Sequence, residues 1–371
     1  MEEKKHNSEQ SNPDYILLTV CLLLLSFGLM MILSASAIRA YSVYGDPHYF
    51  FQRQLIYAGL GLLSLLFFSR IDYHNYYHHS KKILLVALLL LVLVLIPGIG
   101  RKVGGSRRWL SIYIFNFQPA EFAKIAIIIY LAAFIKRKGG KITNFKTGPL
   151  PALIIVLGFF VLLMNQPDMG TALTIFGVAI FMMILGGVLL RQLFLLSLPG
   201  ALFMLYYINS AHYRLLRVQT FLDPWSDPRG TGYHIIQSLF ALGSGGLTGV
   251  GPGNSRQKFL YLPEPGTDFI FAIIGEEFGL LGAIFVLFLF ALLAYRGTVI
   301  ALTAPDTFGT LLAAGITVMI TLQALINIGA VTSLIPVTGI TLPFISYGGS
   351  SLIISLSAIG ILLNISRQSV Q

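Results

Sequence analysis

An all-α polytopic membrane protein with about ten spanning helices is the fold class this sequence predicts, from three observations. Of 371 residues, 56% are hydrophobic and 11% charged, against roughly 45–50% and 25% in soluble domains. Mean hydropathy is +0.79. Apolar runs of about 15 to 25 residues recur from end to end, the length a helix needs to cross a bilayer. Because lipid offers no hydrogen-bond partners, each run must satisfy its own backbone as a helix.

Taken in order, the runs bounded by charge or by Pro and Gly place spans near 15–35, 53–69, 82–98, 119–135, 149–165, 170–188, 192–209, 268–295, 307–332 and 349–366. The first ends in Ser34, Ala35, Ser36 and Ala37, as a signal peptide does, but is long for a signal core and reads as a retained span. The second stops at Arg70, and the third starts after Lys81 and Lys82 and ends in Pro97 and Gly98. The fourth opens at Pro119 and closes on Lys136, Arg137 and Lys138. The chain thus divides into a tail at 1–14, a membrane domain at 15–366 and a tail at 367–371. Within the domain, 210–267 forms one large loop between the seventh and eighth spans. Ten spans put both termini on one side, and the 136–141 basic cluster assigns that side to the cytoplasm.

The net charge of +10 does not point to nucleic acid, because the basic residues sit in short loops between spans. Arg101, Lys102, Arg107 and Arg108 form one group on the predicted outer face; Arg214, Arg217, Arg229, Arg256 and Lys258 form another. An anionic headgroup on that face would account for both, and for the second group so would the indifference of long loops to charge. Cys21 is the single cysteine, which excludes an intrachain disulfide and a cysteine metal cluster. A 58-residue structureless loop would be unusual, so 210–267 is expected to hold short helices, with 234–242 a candidate. The glycine-rich stretch 243–253 lacks the strand, Lys and Ser/Thr of a phosphate-binding loop and reads as a flexible turn.

Ionisable groups within spans are functional candidates by default. Glu121 and Lys124, three apart on one helical face, can pair with each other, and a structural pair and a substrate site fit them equally. Asp168 can cap the sixth span and Asp268 the eighth. Glu276 and Glu277, about 12 Å further along the eighth, read as buried hydrogen-bonding groups. Trp109 reads as an interfacial anchor, and His74, His78 and His79 among tyrosines as an aromatic belt rather than a metal site. Pro and Gly interrupt several span ends, as in transporters and in membrane enzymes alike. Composition leaves both classes open.

Several segments, in order over nearly the whole chain, carry a resemblance. They are Gly105-Ser106-Arg107-Arg108-Trp109, Gln118-Pro119-Ala120-Glu121-Phe122-Ala123-Lys124, Gln166-Pro167-Asp168-Met169-Gly170-Thr171, Ser255-Arg256-Gln257-Lys258, Leu262-Pro263-Glu264 with Thr267-Asp268-Phe269, Gly275-Glu276-Glu277-Phe278-Gly279, and Ile335-Pro336-Val337-Thr338-Gly339-Ile340-Thr341-Leu342-Pro343 running to Ser351. The chain resembles the SEDS family (shape, elongation, division and sporulation), and within it the FtsW and SpoVE branch. Gly266 departs from the family pattern, where a His or other polar residue often precedes the Thr-Asp pair, and is expected to loosen that turn.

The resemblance implies a multi-pass protein of the bacterial cytoplasmic membrane that polymerises peptidoglycan from lipid II at the outer face. It further implies a single-span class B penicillin-binding protein as partner, beside other division or sporulation membrane proteins. Carried over by position, Asp268 would be the catalytic carboxylate, Trp109 part of a sensitive outer loop, and Glu121, Lys124 and Asp168 the lining of a polar cavity. The implied reaction displaces undecaprenyl diphosphate from one sugar by the 4-hydroxyl of another, with inversion and no covalent sugar on the protein. It needs a base, assigned to Asp268, and a sink for the leaving charge. Arg108, Lys124, Arg256 and Lys258 are the candidates for that sink, or a divalent cation, Mg or Mn, held partly by Asp268. A lipid II flippase and a non-catalytic scaffold are the competing readings. Against the flippase stand the absence of any internal repeat and the clustering of polar residues at the outer span ends.

Overall fold

The computed structural model describes residues 12–103, 106–112, 115–195, 198, 200, 212–259 and 261–369. Its long helices are α1 (Tyr15–Tyr44), α2 (Tyr49–Arg70), α3 (His74–Leu95), α4 (Pro119–Lys138), α5 (Pro149–Asn165) and α6 (Met169–Leu185), then α9 (Ile270–Thr303), α10 (Thr307–Val331) and α11 (Gly349–Arg367). Two shorter helices, α7 (His212–Leu222) and α8 (Tyr233–Gly245), lie in the large loop. The expected spans correspond to α1–α6 and α9–α11. The seventh, near 192–209, falls largely outside the described residues, as do the side chains of Arg214 and Arg217.

Helix boundaries follow local chemistry. Asp14 caps α1 by accepting the Leu17 N–H at 2.9 Å, and Asp306 caps α10 through Phe308 and Gly309, each filling an orphan donor of a first turn. The helix α1 runs past its predicted end to Tyr44, because nothing in Ser34–Ala37 stops a helix. It ends at Gly45, in the left-handed conformation (φ 74) that glycine adopts at no steric cost.

Both termini share one end of the bundle, called here the terminal end. The Asp14 carboxylate pairs with Arg296 at 2.6 Å, and its backbone N–H donates to the Ser366 hydroxyl at 3.1 Å. On the same end the Tyr73 hydroxyl donates to Asp306 at 2.7 Å, and Lys136 pairs with Asp306 from α4. Asn364 accepts from the Tyr73 N–H at 2.9 Å and donates to the Ser69 carbonyl at 3.1 Å. Burial alone would raise the Asp306 carboxyl, but the hydrogen bonds from Lys136, Tyr73 and Gly309 outweigh it and hold it below the ordinary carboxylate range. His74 bonds to Asp72 and His79 to the Asn75 carbonyl, so these histidines serve the helix α3 start and share no ligand centre.

The opposite, loop end is irregular. Between α3 and α4 stands a three-stranded antiparallel sheet of β1 (Gly100–Val103), β2 (Ser106–Ile112) and β3 (Phe115–Phe117). The seven residues of β2 mix polar and apolar side chains, so a search for long apolar runs passes over them. The chain between α10 and α11, 332–348, folds back into the bundle without helix. Its backbone packs against α1 at Gly28, where a Cβ would come within 2.6 Å of the Phe344 carbonyl and the Ile345 Cα.

The glycine-rich stretch is not the flexible turn expected. Helix α9 breaks at Gly279 (φ 65, ψ −159), and the stretch fills the break. The N–H groups of Val250 and Gly251 donate to the carbonyls of Glu276 and Glu277, each at 3.0 Å, while those of Leu280 and Leu281 donate to the carbonyls of Gly246 and Leu247 at 2.9 and 3.2 Å. Glycine is required for this approach: a Cβ on Gly249 (φ 81) would stand 2.2 Å from the Glu277 carbonyl oxygen. Backbone groups released by a broken helix inside a membrane protein must be paired again, and here a loop pairs them.

Candidate active site

A cavity of about 590 Å³ opens at the loop end, between α7, α8, the turn at 263–269 and the segment at 337–339. Asp268, Glu264 and Asp227 line it, together with His234. No Lys or Arg is among its described lining residues.

Glu264 pairs with Arg39 of α1 at 2.5 Å, and Asp227 accepts the N–H groups of Gly230 and Thr231 at 3.0 and 2.9 Å, closing its own turn. Asp268 is not the helix cap expected of it. Helix α9 starts at Ile270 with Phe269 in the cap position and no side-chain cap bond, which leaves the Asp268 carboxylate on the cavity wall. One Oδ lies 3.6 Å from where a Cβ of Gly339 would stand, and Gly339 holds φ 72. The His234 ring lies nearly parallel to that of Phe269, 6.3 Å away.

The turn that carries Asp268 is pinned. The Tyr347 N–H donates to the Gly266 carbonyl at 2.8 Å, the Ser346 hydroxyl to the Thr267 carbonyl at 2.6 Å, and the Asn327 side-chain amide to the Asp268 carbonyl at 2.8 Å. Gly266 therefore does not loosen the turn as expected, because its neighbours are held through their carbonyls and not through the missing side chain.

The other predicted residues fall into three groups. Arg108 on β2 donates through Nε to the Gln166 carbonyl at 2.8 Å and through its other arm to the Pro167 carbonyl. It thereby fixes the turn before Asp168, which caps α6 through the Thr171 N–H and accepts from the Gln118 side chain at 3.3 Å. Trp109, half-buried, stands opposite Arg101 in the sheet. Glu121 and Lys124 form a buried ion pair at 2.8 Å, and Lys124 also bonds to Gln323.

The third group lies where the 255–258 segment packs against α9. Lys258 is buried against Glu277 at 3.0 Å and donates as well to Ser34 at 3.1 Å, while Glu276 accepts from Ser255 and from the Arg256 N–H. These contacts give Glu276 and Glu277 the structural role expected of them. Arg108, Lys124 and Lys258 each engage a carbonyl or a carboxylate of the protein. Of the candidates for the charge sink only Arg256 presents an exposed side chain.

Sequence reasoning missed Gln323 and Asn327. They stand four residues apart on one face of the apolar helix α10, a signal present in the sequence but lost to a survey confined to ionisable groups. Among the described residues no group of three or more His, Cys, Asp or Glu is arranged to hold a metal ion, and Glu264 and Asp227 are already engaged.

Comparison with known proteins agrees with this architecture. The family model of FtsW, RodA and SpoVE, described as "Cell cycle protein", matches residues 15–371. Stage V sporulation protein E of Bacillus subtilis is 48% identical over 98% of this chain and 99% of its own. The probable peptidoglycan glycosyltransferase FtsW of Trichlorobacter lovleyi is 46% identical over 95% and 93%. Among solved structures, a chain from a peptidoglycan synthase complex that coordinates polymerization and crosslinking superposes with a TM-score of 0.79 at 31% identity, covering 96% of this chain and 98% of that one. The rod shape determining protein RodA of Thermus thermophilus does so at 0.71 and 29% identity, covering 97% and 98%. With its sheet-bearing loop, its broken α9 and its carboxylate-lined cavity, the chain belongs to the FtsW, RodA and SpoVE family of multi-pass proteins of the cytoplasmic membrane.

Proposed function

We propose that the protein is a peptidoglycan glycosyltransferase that polymerises lipid II, with Asp268 as the base that activates the acceptor. The observation that carries this reading is the Asp268 carboxylate on the wall of a 590 Å³ cavity at the loop end, on a residue held through its backbone carbonyl by Asn327. The names of the relatives support the activity. The terminal end faces the cytoplasm in this reading, and the cavity faces the outer side, where the headgroup of lipid II is displayed.

The chemistry follows from the lining. The acceptor's 4-hydroxyl donates its proton to Asp268 as its oxygen attacks the anomeric carbon of the donor sugar. The bond from that carbon to the diphosphate breaks, and undecaprenyl diphosphate leaves with the bonding electrons. A general base gains most when ionised at working pH and within hydrogen-bond reach of the proton it takes. A cavity lined by carboxylates and hydroxyls suits sugar hydroxyl donors and repels a diphosphate, so the leaving group lies outside it. Arg256 is the exposed candidate for meeting that charge, which grows in the transition state.

Association with a crosslinking enzyme is proposed from the synthase-complex relative, as a single-span class B penicillin-binding protein. The relatives leave septum and spore wall both open as the site of use. The deciding experiment is polymerisation of lipid II by the purified protein, with and without that partner, for wild type and Asp268→Asn. Glycan strands from wild type and none from the variant support the enzyme and its base together. Lipid II crossing liposome leaflets with no polymer under any condition transfers the case to the flippase.

A further inference from the structure

We propose that Asn327 is a positioning residue for Asp268, a role that rests on the reading of Asp268 as the acceptor base. Asn327 lies on α10 and is 2% exposed. Its side-chain amide donates twice, to the Asp268 carbonyl at 2.8 Å and to the Ile340 carbonyl at 2.7 Å. The two hydrogens of one NH2 group thus tie together the two non-helical segments that frame the cavity. One segment carries Asp268. The other carries Gly339, whose Cβ position faces the Asp268 carboxylate at 3.6 Å. A shift at Ile340 would therefore move the wall against which the carboxylate rests.

The clamp has a second rung. Gln323, one helical turn earlier, donates to the Thr341 carbonyl at 3.0 Å and bonds to Lys124, itself paired with Glu121. Glu121 and Lys124 are thereby linked through Gln323 to the segment that carries Gly339. The Asn327 amide pairs two carbonyls that an apolar side chain would leave unmet, at the expense of one acceptor of its own. The Asn327 Oδ1 is buried and has no hydrogen-bond partner, and such an atom carries a desolvation cost that an apolar side chain would avoid. What the amide supplies in return is a fixed distance between Asp268 and Gly339. Misplacing a reacting group by 1 Å can cost about 100-fold in rate.

The test uses the full chain with its partner and compares Asn327→Leu and Asn327→Asp with two references, Asp268→Asn and Asn364→Leu. Asn327→Asp keeps the shape and replaces the donor with an acceptor. Asn364 is an equally interior amide at the terminal end, bonded to Tyr73 and Ser69, so its loss reports the cost of breaking a buried amide far from the site. Both Asn327 variants should lower kcat about 100-fold with KM for lipid II within about twofold, and shift the acid limb of the kcat–pH profile. Asn364→Leu should lower thermal stability and leave kcat per folded molecule unchanged. If the Asn327 variants lose activity only in proportion to folded protein, as Asn364→Leu does, or raise KM alone, the positioning role is overturned. An active Asp268→Asn overturns the base assignment itself, and the proposal with it. An inactive Asp268→Asn beside normal Asn327 variants overturns the positioning role only.

Discussion

At the terminal end, charged side chains pair across helices: Asp14 with Arg296, and Asp306 with Lys136 and Tyr73. At the loop end, beside such pairs, a set of side chains reaches for main-chain carbonyls of irregular segments. Arg108 bonds to Gln166 and Pro167, Asn327 to Asp268 and Ile340, Gln323 to Thr341, Ser346 to Thr267. Side-chain pairs neutralise charge and close a surface. Side chain to carbonyl bonds instead hold a loop in place through its backbone, which is how Asp268 is set on the cavity wall. Strain is distributed in the same way. Glu264, Ser333 and Phe344 all adopt positive φ (53, 58 and 65) and all belong to the loop end, and strained backbone of this kind concentrates where surrounding contacts over-determine a functional geometry.

If this contrast is right, substitutions at the two ends should fail in different ways. The largest effect is expected from Asp268→Asn, which should lower the polymerisation rate by about 10²- to 10⁴-fold with an unchanged melting temperature. A fall in melting temperature that tracks the activity loss would make Asp268 a structural residue. Next comes Gly249→Val, which places a Cβ 2.2 Å from the Glu277 carbonyl at φ 81. It should destabilise by more than about 3 kcal/mol, above the ordinary range for point substitutions, seen as low yield and early aggregation on heating.

Smaller and confined to stability is Lys136→Met. It removes one partner of the Asp306 carboxylate and should cost about 1–3 kcal/mol with normal polymerisation per folded molecule; an equal loss of activity would erase the distinction between the ends. Asp306 also sets a pH signature. Its folded-state pKa lies below the unfolded value, so its contribution is present above the unfolded pKa, near 4, and is lost as pH falls through the folded one. Between pH 6 and 3 the melting temperature of wild type should fall more than that of Asp306→Asn. The smallest effect is expected from Glu264→Gln, because the pair with Arg39 is half exposed and such pairs contribute under about 1 kcal/mol.

Hydropathy and charge sufficed to read α1–α6 and α9–α11 from the chain, since lipid leaves an apolar run no alternative to helix. The resemblance supplied Asp268, which local rules had read as a cap; a cap needs a helix start at the next residue, and α9 begins one residue too late. What escaped was the set of neutral polar residues, Gln323 and Asn327 above all. Their meaning depends on which carbonyls lie opposite them, and that is fixed only when 332–348 folds back between helices. The three-stranded sheet escaped because strands of three to seven residues leave little pattern. The direction of Arg108, Lys124 and Lys258 was illegible for a similar reason: a basic residue reads the same whether its partner is a carboxylate of the protein or a substrate phosphate.

The loop seated in the break of α9 bears on the order in which the protein is made. Residues 246–251 leave the ribosome before α9 does, so one strand of the joint is synthesised ahead of the helix that needs it. When α9 enters the membrane, the carbonyls of Glu276 and Glu277 and the N–H groups of Leu280 and Leu281 have partners only if that loop has been translocated and waits at the right depth. Insertion of the last three helices is thus tied to export of the loop before them, and a tag or fusion placed within 246–251 would show itself as a biogenesis defect in newly made chains before any effect on catalysis could be measured.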